Sequence, residues 1–160
     1  MITEKITMEN KIYNVLKDDS LKNALEFLTF LKENEFQLDP NGDNGEGWAV
    51  GGVVGNSFGF ILINGVEEMP GPWTIWLNSS DYNESTSMDN ELKENTWTHV
   101  NKCSKCHKGW EDCGIGNKII FGREFENLCH SPLMFTNPDT KTLETVKKLL
   151  INLKSRNNGT

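Results

Sequence analysis

All four cysteines of this 160-residue chain fall between Cys103 and Cys129, and the first two, Cys103-Ser104-Lys105-Cys106, form a C-x2-C pair. That cluster is the tightest constraint in the sequence. Two thiolates offered by one short turn can reach a single tetrahedral ion at about 2.3 Å, and four thiolates complete the coordination of a closed structural zinc site. Cys113 follows after six residues and Cys129 after fifteen more. The pattern therefore predicts a zinc site with Cys103, Cys106, Cys113 and Cys129 as ligands, in a metal loop spanning 103–129. A regular zinc ribbon has two C-x2-C halves, and here only the first half is regular. The three histidines of the chain, His99, His107 and His130, all lie in or beside the loop, and each is an alternative ligand.

Two other chemistries use the same residues. Cys103 to His107 reads literally as C-x-x-C-H, the haem attachment pattern, with Met134 available as an axial ligand. That reading leaves Cys113 and Cys129 without a role. A redox dithiol needs a thiolate of lowered pKa, commonly at a helix N-terminus. Here the pair follows the end of a helix expected at about 90–100, where the dipole is negative and disfavours a thiolate.

Charge narrows the partners. The net charge is -7, which opposes binding to a phosphate backbone, since that needs a basic face. Between Cys103 and Lys118, Lys105, Lys108 and Lys118 slightly outnumber Glu111 and Asp112. No apolar stretch approaches the roughly 20 residues that span a bilayer, so no membrane association is expected. The opening MITEKITMENK has no apolar signal region. The expected location is the cytoplasm, where clustered thiols stay reduced and more often bind metal than form disulfides. Met8 could serve as a start, which makes residues 1–8 a loose extension of one domain spanning 1–160.

The remaining patterning predicts an α+β fold: an antiparallel sheet of about four or five strands, helices packed on at least one face, and the cysteine-rich loop between a helix and the last strands. Ile12, Val15 and Leu16 mark a short first helix. Asp19 or Ser20 caps a second, with Leu21, Ala24, Leu25, Leu28 and Leu31 at helical spacing, widened by Phe27 and Phe30. The turn-forming run 39–47 ends it. Trp48–Val54 and Phe58–Asn64 read as strands around a Gly55-Asn56 hairpin turn. Phe58, Phe60 and Leu62 are expected on one face, with Ile61 and Ile63 on the other. WTIWL (73–77), Lys118–Phe121 and Leu133–Thr136 supply further strands. Asn137-Pro138-Asp139 starts a last helix bearing Leu143, Val146, Leu149, Leu150 and Leu153 on one side.

The stretch N-K-C-S-K-C, then Cys113, I-I-F-G-R-E-F, Cys129-His130 and F-T-N-P-D before a Leu-rich helix resembles a family of small uncharacterised bacterial proteins. Their pattern is a cysteine-rich loop, an IFGKEF segment, a final cysteine and an NPD helix start. The likeness covers roughly 20–155. It implies one compact domain and a cysteine site, and it brings no reaction. The third cysteine sits closer to the second in that pattern than the six-residue gap here, which makes Cys113 the ligand a histidine would replace.

Weaker signals have plainer readings. Asp39, Asn41 and Asp43 match the first ligands of an EF-hand loop, but Asn44 and Val50 stand where glycine and glutamate are required. Trp73 and Trp76, three apart on a strand, point to opposite faces. Together with Trp48 and Trp97 they are candidate lining for a small-molecule pocket, against the commoner role of large aromatics as core. Glu67 and Glu68 could stand beside it or simply be solvated. Cys129-His130 are sequence neighbours, which does not make a nucleophile and its base. With no catalytic constellation, the sequence favours a non-enzymatic ligand-binding or regulatory domain with structural zinc. The alternatives are a metal- or thiol-dependent enzyme, redox protein or hydrolase, and a zinc-ribbon-like adaptor for protein or nucleic acid.

Overall fold

The computed structural model describes residues 7–41, 47–53, 56–63, 72–77, 90–102, 116–121 and 123–158. Its helices are α1 (Met8–Val15), α2 (Asp18–Glu33), α3 (Asn90–Trp97) and α4 (Thr140–Asn158). Its strands are β1 (Gln37–Asn41), β2 (Gly47–Val53), β3 (Asn56–Ile63), β4 (Trp73–Leu77), β5 (Val100–Lys102), β6 (Gly116–Ile120) and β7 (Arg123–Thr136). The fold is α+β with antiparallel pairing, as the patterning predicts. The five strands read from the sequence are β2, β3, β4, β6 and β7; β1 and β5 are added beside β2 and β7. The chain forms two compact units, one of residues up to Ile75 together with those from Phe135 onward, the other Trp76–Met134.

In the first unit the strands run in the order β1-β2-β3-β4. Thr7 caps α1, its hydroxyl oxygen accepting from the Asn10 N–H at 3.1 Å, and Met8 and Ile12 are buried. Thr7 and Met8 thus belong to the fold, a correction to an extension reaching residue 8; residues 1–6 lie outside the described ones. Helix α2 begins at Asp18, before either expected cap. Its N-cap Lys17 offers no side-chain bond, while Asp18 and Asp19 put negative charge against the positive helix end. Ser20 is not a cap; its hydroxyl donates to Asn137 Oδ1 at 2.8 Å.

Helix α2 ends in a Schellman motif. The Phe36 N–H reaches the Leu31 carbonyl at 2.9 Å and the Glu35 N–H that of Lys32 at 3.1 Å. Glu35 takes the left-handed position, φ 58°, that glycine usually fills. The accompanying apolar contact is Phe36 on Phe30, ring centres 5.9 Å apart. The chain then enters β1, so Asp39, Pro40 and Asn41 are strand and not turn. Pro40 is tolerated because β1 is an edge strand, where one N–H is not needed by a neighbour.

Asp139 caps α4, its carboxylate accepting from the Thr142 N–H at 2.8 Å. All five apolar residues expected on this helix are buried. Helices α2 and α4 run side by side in the same direction, as their contacts show in order. At their starts Asn23 donates to the Pro138 carbonyl at 3.4 Å and accepts from Thr140 Oγ1 at 3.5 Å. Further along, the Lys147 ammonium lies 5.7 Å from the centre of the Phe30 ring. At their ends Lys154 lies 4.9 Å over Phe36 and donates to the Asn34 carbonyl.

Under these helices the sheet presents Trp48, Val50, Ile61, Ile63, Trp73 and Ile75, all buried. Phe58 joins this face, contrary to simple alternation. Val50 pairs with Gly59 but Gly51 with Ser57, so Phe58 is an extra residue on β3, and a bulge turns its ring inward. It meets Phe36 edge-on at 6.1 Å. A line of rings therefore crosses the unit: Phe58, Phe36, Phe30, Phe27 and Trp73. The hairpin also shifts by one: Asn56 pairs with Val53, leaving residues 54 and 55, outside the described ones, as its connection.

On the outer face Phe60 is half-buried, and its ring lies over Gly47, where a Cβ would stand 2.2 Å from Cζ. Gly47→Ala is expected to cost about 1–3 kcal/mol by overpacking, read by urea unfolding. Because the ring is the obstacle, Phe60→Leu in the same chain should return part of the loss; strictly additive effects would show that the backbone is at fault.

In the second unit α3 stops at Trp97, and His99 closes a turn through its N–H to the Thr96 carbonyl at 3.0 Å. The helix expected at 90–100 is therefore shorter, and strand β5 stands between it and Cys103. Helix dipole effects fade within the last turn, so the dipole argument against a redox thiolate loses its footing. Strands β6 and β7 form a hairpin in which Ile120 pairs with Arg123; Phe121 opens its turn, and residue 122 lies outside the described ones. Phe121 is buried at φ 49°, an uncommon conformation for a bulky residue that burial of the ring helps to hold.

Candidate metal centre

The strand that leads into Cys103 and the strand that follows Cys113 meet at one residue. Lys102, the last residue of β5, pairs with Leu128, and so does Gly116, the first of β6. Leu128 is fully buried and directly precedes Cys129. Both ends of the segment 103–115 are thus anchored beside the Cys129 position in the backbone.

Strand β7 departs from regularity at this point. Val100 pairs with Leu133 and Lys102 with Leu128, so two steps along β5 correspond to five along β7. Cys129, His130, Ser131 and Pro132 together face Asn101. An expansion of this kind breaks the ladder, re-aims side chains and accommodates a proline inside a strand.

Cys103, Cys106, Cys113 and His107 lie outside the described residues, while Cys129 and His130 are placed by backbone on β7. His99 is half-buried at the other end of β5 from Cys103, its carbonyl accepting from the Met134 N–H at 3.0 Å. Among the described residues no three His, Cys, Asp or Glu side chains cluster as metal ligands, and no helix is long and apolar enough to cross a membrane.

The tryptophans divide by role. Trp73 is wholly buried and 6.1 Å from Phe27, so it is core of the first unit; its indole N–H has no hydrogen-bond partner among the described residues. Trp76 is half-buried two residues after the buried Thr74, whose hydroxyl is also unpartnered. Trp97, in the second unit, is half-buried and donates through Nε1 to the Ile120 carbonyl at 2.7 Å. Trp48, although buried, forms one wall of a cavity of about 300 Å³ with Met8, Leu28, Leu38 and Pro40. The Glu9–Lys32 ion pair, 3.7 Å, lies at the same cavity.

Sequence reasoning reached Trp48 and missed the rest of that cavity. Its walls come from α1, α2, β1 and β2, joined by the Pro40–Trp48 register pair, and no local pattern announces such a meeting. Compared with models of protein families, with curated proteins and with solved structures, the chain gives no match.

Proposed function

We propose that the chain is a non-enzymatic binding domain whose second unit is closed by structural zinc, held by Cys103, Cys106, Cys129 and either Cys113 or a neighbouring histidine. The supporting observation is the double pairing of Leu128, which anchors both ends of the cysteine loop beside Cys129. Four soft ligands on one short loop and an adjoining strand suit tetrahedral zinc. The cavity beside Trp48 is the proposed seat of a small, mainly apolar ligand, its volume lying at the lower end of the range for such sites. This reading places the protein in the cytoplasm and groups it with the small bacterial proteins it resembles.

Purified under reducing conditions, the full chain should carry near-stoichiometric zinc by elemental analysis. Chelation should lower its melting temperature by on the order of 10 °C, because zinc binding and folding are one free-energy change. Cobalt substitution should give the ligand-field spectrum of a tetrahedral, thiolate-rich site. A metal-free protein whose melting is indifferent to chelator ends the zinc reading. A cobalt spectrum that responds to added small anions would reveal an open coordination position and favour the enzyme alternative.

A further inference from the structure

The Arg123 guanidinium lies 5.5 Å from the centre of the Trp97 ring and 5.2 Å from that of Phe125. The two rings make no ring contact with each other, so the cation bridges them. Trp97 is fixed by its bond to the Ile120 carbonyl, and Phe125 by its place in β7, opposite Lys118. The side chain of Arg123 is exposed, yet its charged end is held over aromatic surface and, among the described residues, makes no ion pair or hydrogen bond. An arginine of this kind has already given up much of its conformational freedom, while its coplanar N–H donors remain open to an incoming group.

We propose that the Trp97–Arg123–Phe125 cluster is a docking site for an acidic segment of a partner protein, a carboxylate of which takes the guanidinium in a bidentate bond. The fork of donors matches the two oxygens of a carboxylate in spacing and plane. Aromatic residues and arginine are also the types that carry most binding energy at protein interfaces. By backbone register Lys118 stands opposite Phe125, two pairs from the Ile120–Arg123 pair, whereas Glu124, next to Arg123 in the chain, belongs to the other face of the strand by alternation. In a chain of net charge -7, such a contact must be made by a placed side chain, since the overall field repels an acidic partner.

The test is fluorescence anisotropy of a labelled hexaglutamate peptide titrated with the full chain, with hexalysine, a phosphoserine peptide and single-stranded RNA as comparisons. Hexaglutamate should bind, and binding should weaken as salt rises. Arg123→Gln should weaken it about tenfold or more, the worth of a charge-assisted bond. Arg123→Lys, which keeps charge and aromatic contact but lacks the fork, should fall between. Melting and zinc content are measured on each variant. If Arg123 merely pins the hairpin to α3, Arg123→Gln lowers the melting temperature while the unaltered chain ignores the peptide. That result overturns the proposal, as does equal binding by Arg123→Gln, or a preference for phosphoserine peptide or RNA. Arg123→Lys keeps the comparison available should Arg123→Gln not fold, and none of these outcomes depends on whether zinc is present.

Discussion

Trp73→Ala is expected to lower the unfolding free energy by about 3–5 kcal/mol, while Trp73→Phe should cost far less than its lost volume implies. Trp73 has no exposed surface and closes one end of the aromatic line through Phe27. Truncation to alanine leaves a cavity beneath α2, where tight packing leaves little slack to refill it. Its indole N–H, however, is buried without an acceptor among the described residues, a defect that costs roughly 1–3 kcal/mol. Phenylalanine removes that donor along with some packing, and the two changes oppose each other. Urea unfolding of the two variants separates the terms. A Trp73→Phe loss as large as that of Trp73→Ala would mean the indole donor is satisfied in solution. The Trp73 carbonyl, which accepts from the Asn137 N–H at 2.8 Å, is unaffected by either change.

Leu128→Ala is expected to cost about 2–5 kcal/mol and, resting on the zinc reading, to loosen the metal as well. Leu128 is the register partner of both Lys102 and Gly116 and is fully buried. Shrinking it weakens the pivot from which the cysteine loop leaves and to which it returns. If zinc binds the folded form, excess zinc should return part of the lost stability by mass action. Titration with a competing chelator would report the affinity directly. Lower stability with unchanged zinc affinity would show that the metal does not depend on this pairing.

Much of the fold was legible because local periodicity carries it. The stripe Leu143, Val146, Leu149, Leu150 and Leu153 repeats at helical spacing, and Asn137-Pro138-Asp139 announces the start, since aspartate is a preferred cap. Phe58 was misassigned because period-two reasoning assumes an unbroken ladder, and a single extra residue reverses the face. Strand β1 was hidden in residues that usually form turns. The cysteines were legible as a pattern. Their setting was not, since the meeting of Lys102, Gly116 and Leu128 is a matter of long-range register. The Arg123 cluster joins α3 to a hairpin more than 20 residues away, and nothing in either segment alone marks it.

The parallel pairing of α2 with α4 has a consequence for how the polypeptide is made. The hydrogen bonds joining these helices close sequence separations of 115 to 120 residues. A ribosome releases α2, β1, β2 and β3 long before α4, so α2 must wait for the helix it packs against. The unit Trp76–Met134 is continuous in sequence, whereas its neighbour is completed only by the segment from Phe135 onward. Contacts this distant slow folding and lengthen the interval in which apolar surface is open to other chains. For this protein the hazardous moment is therefore late in synthesis, and a holding chaperone would find its target in the first half of the chain.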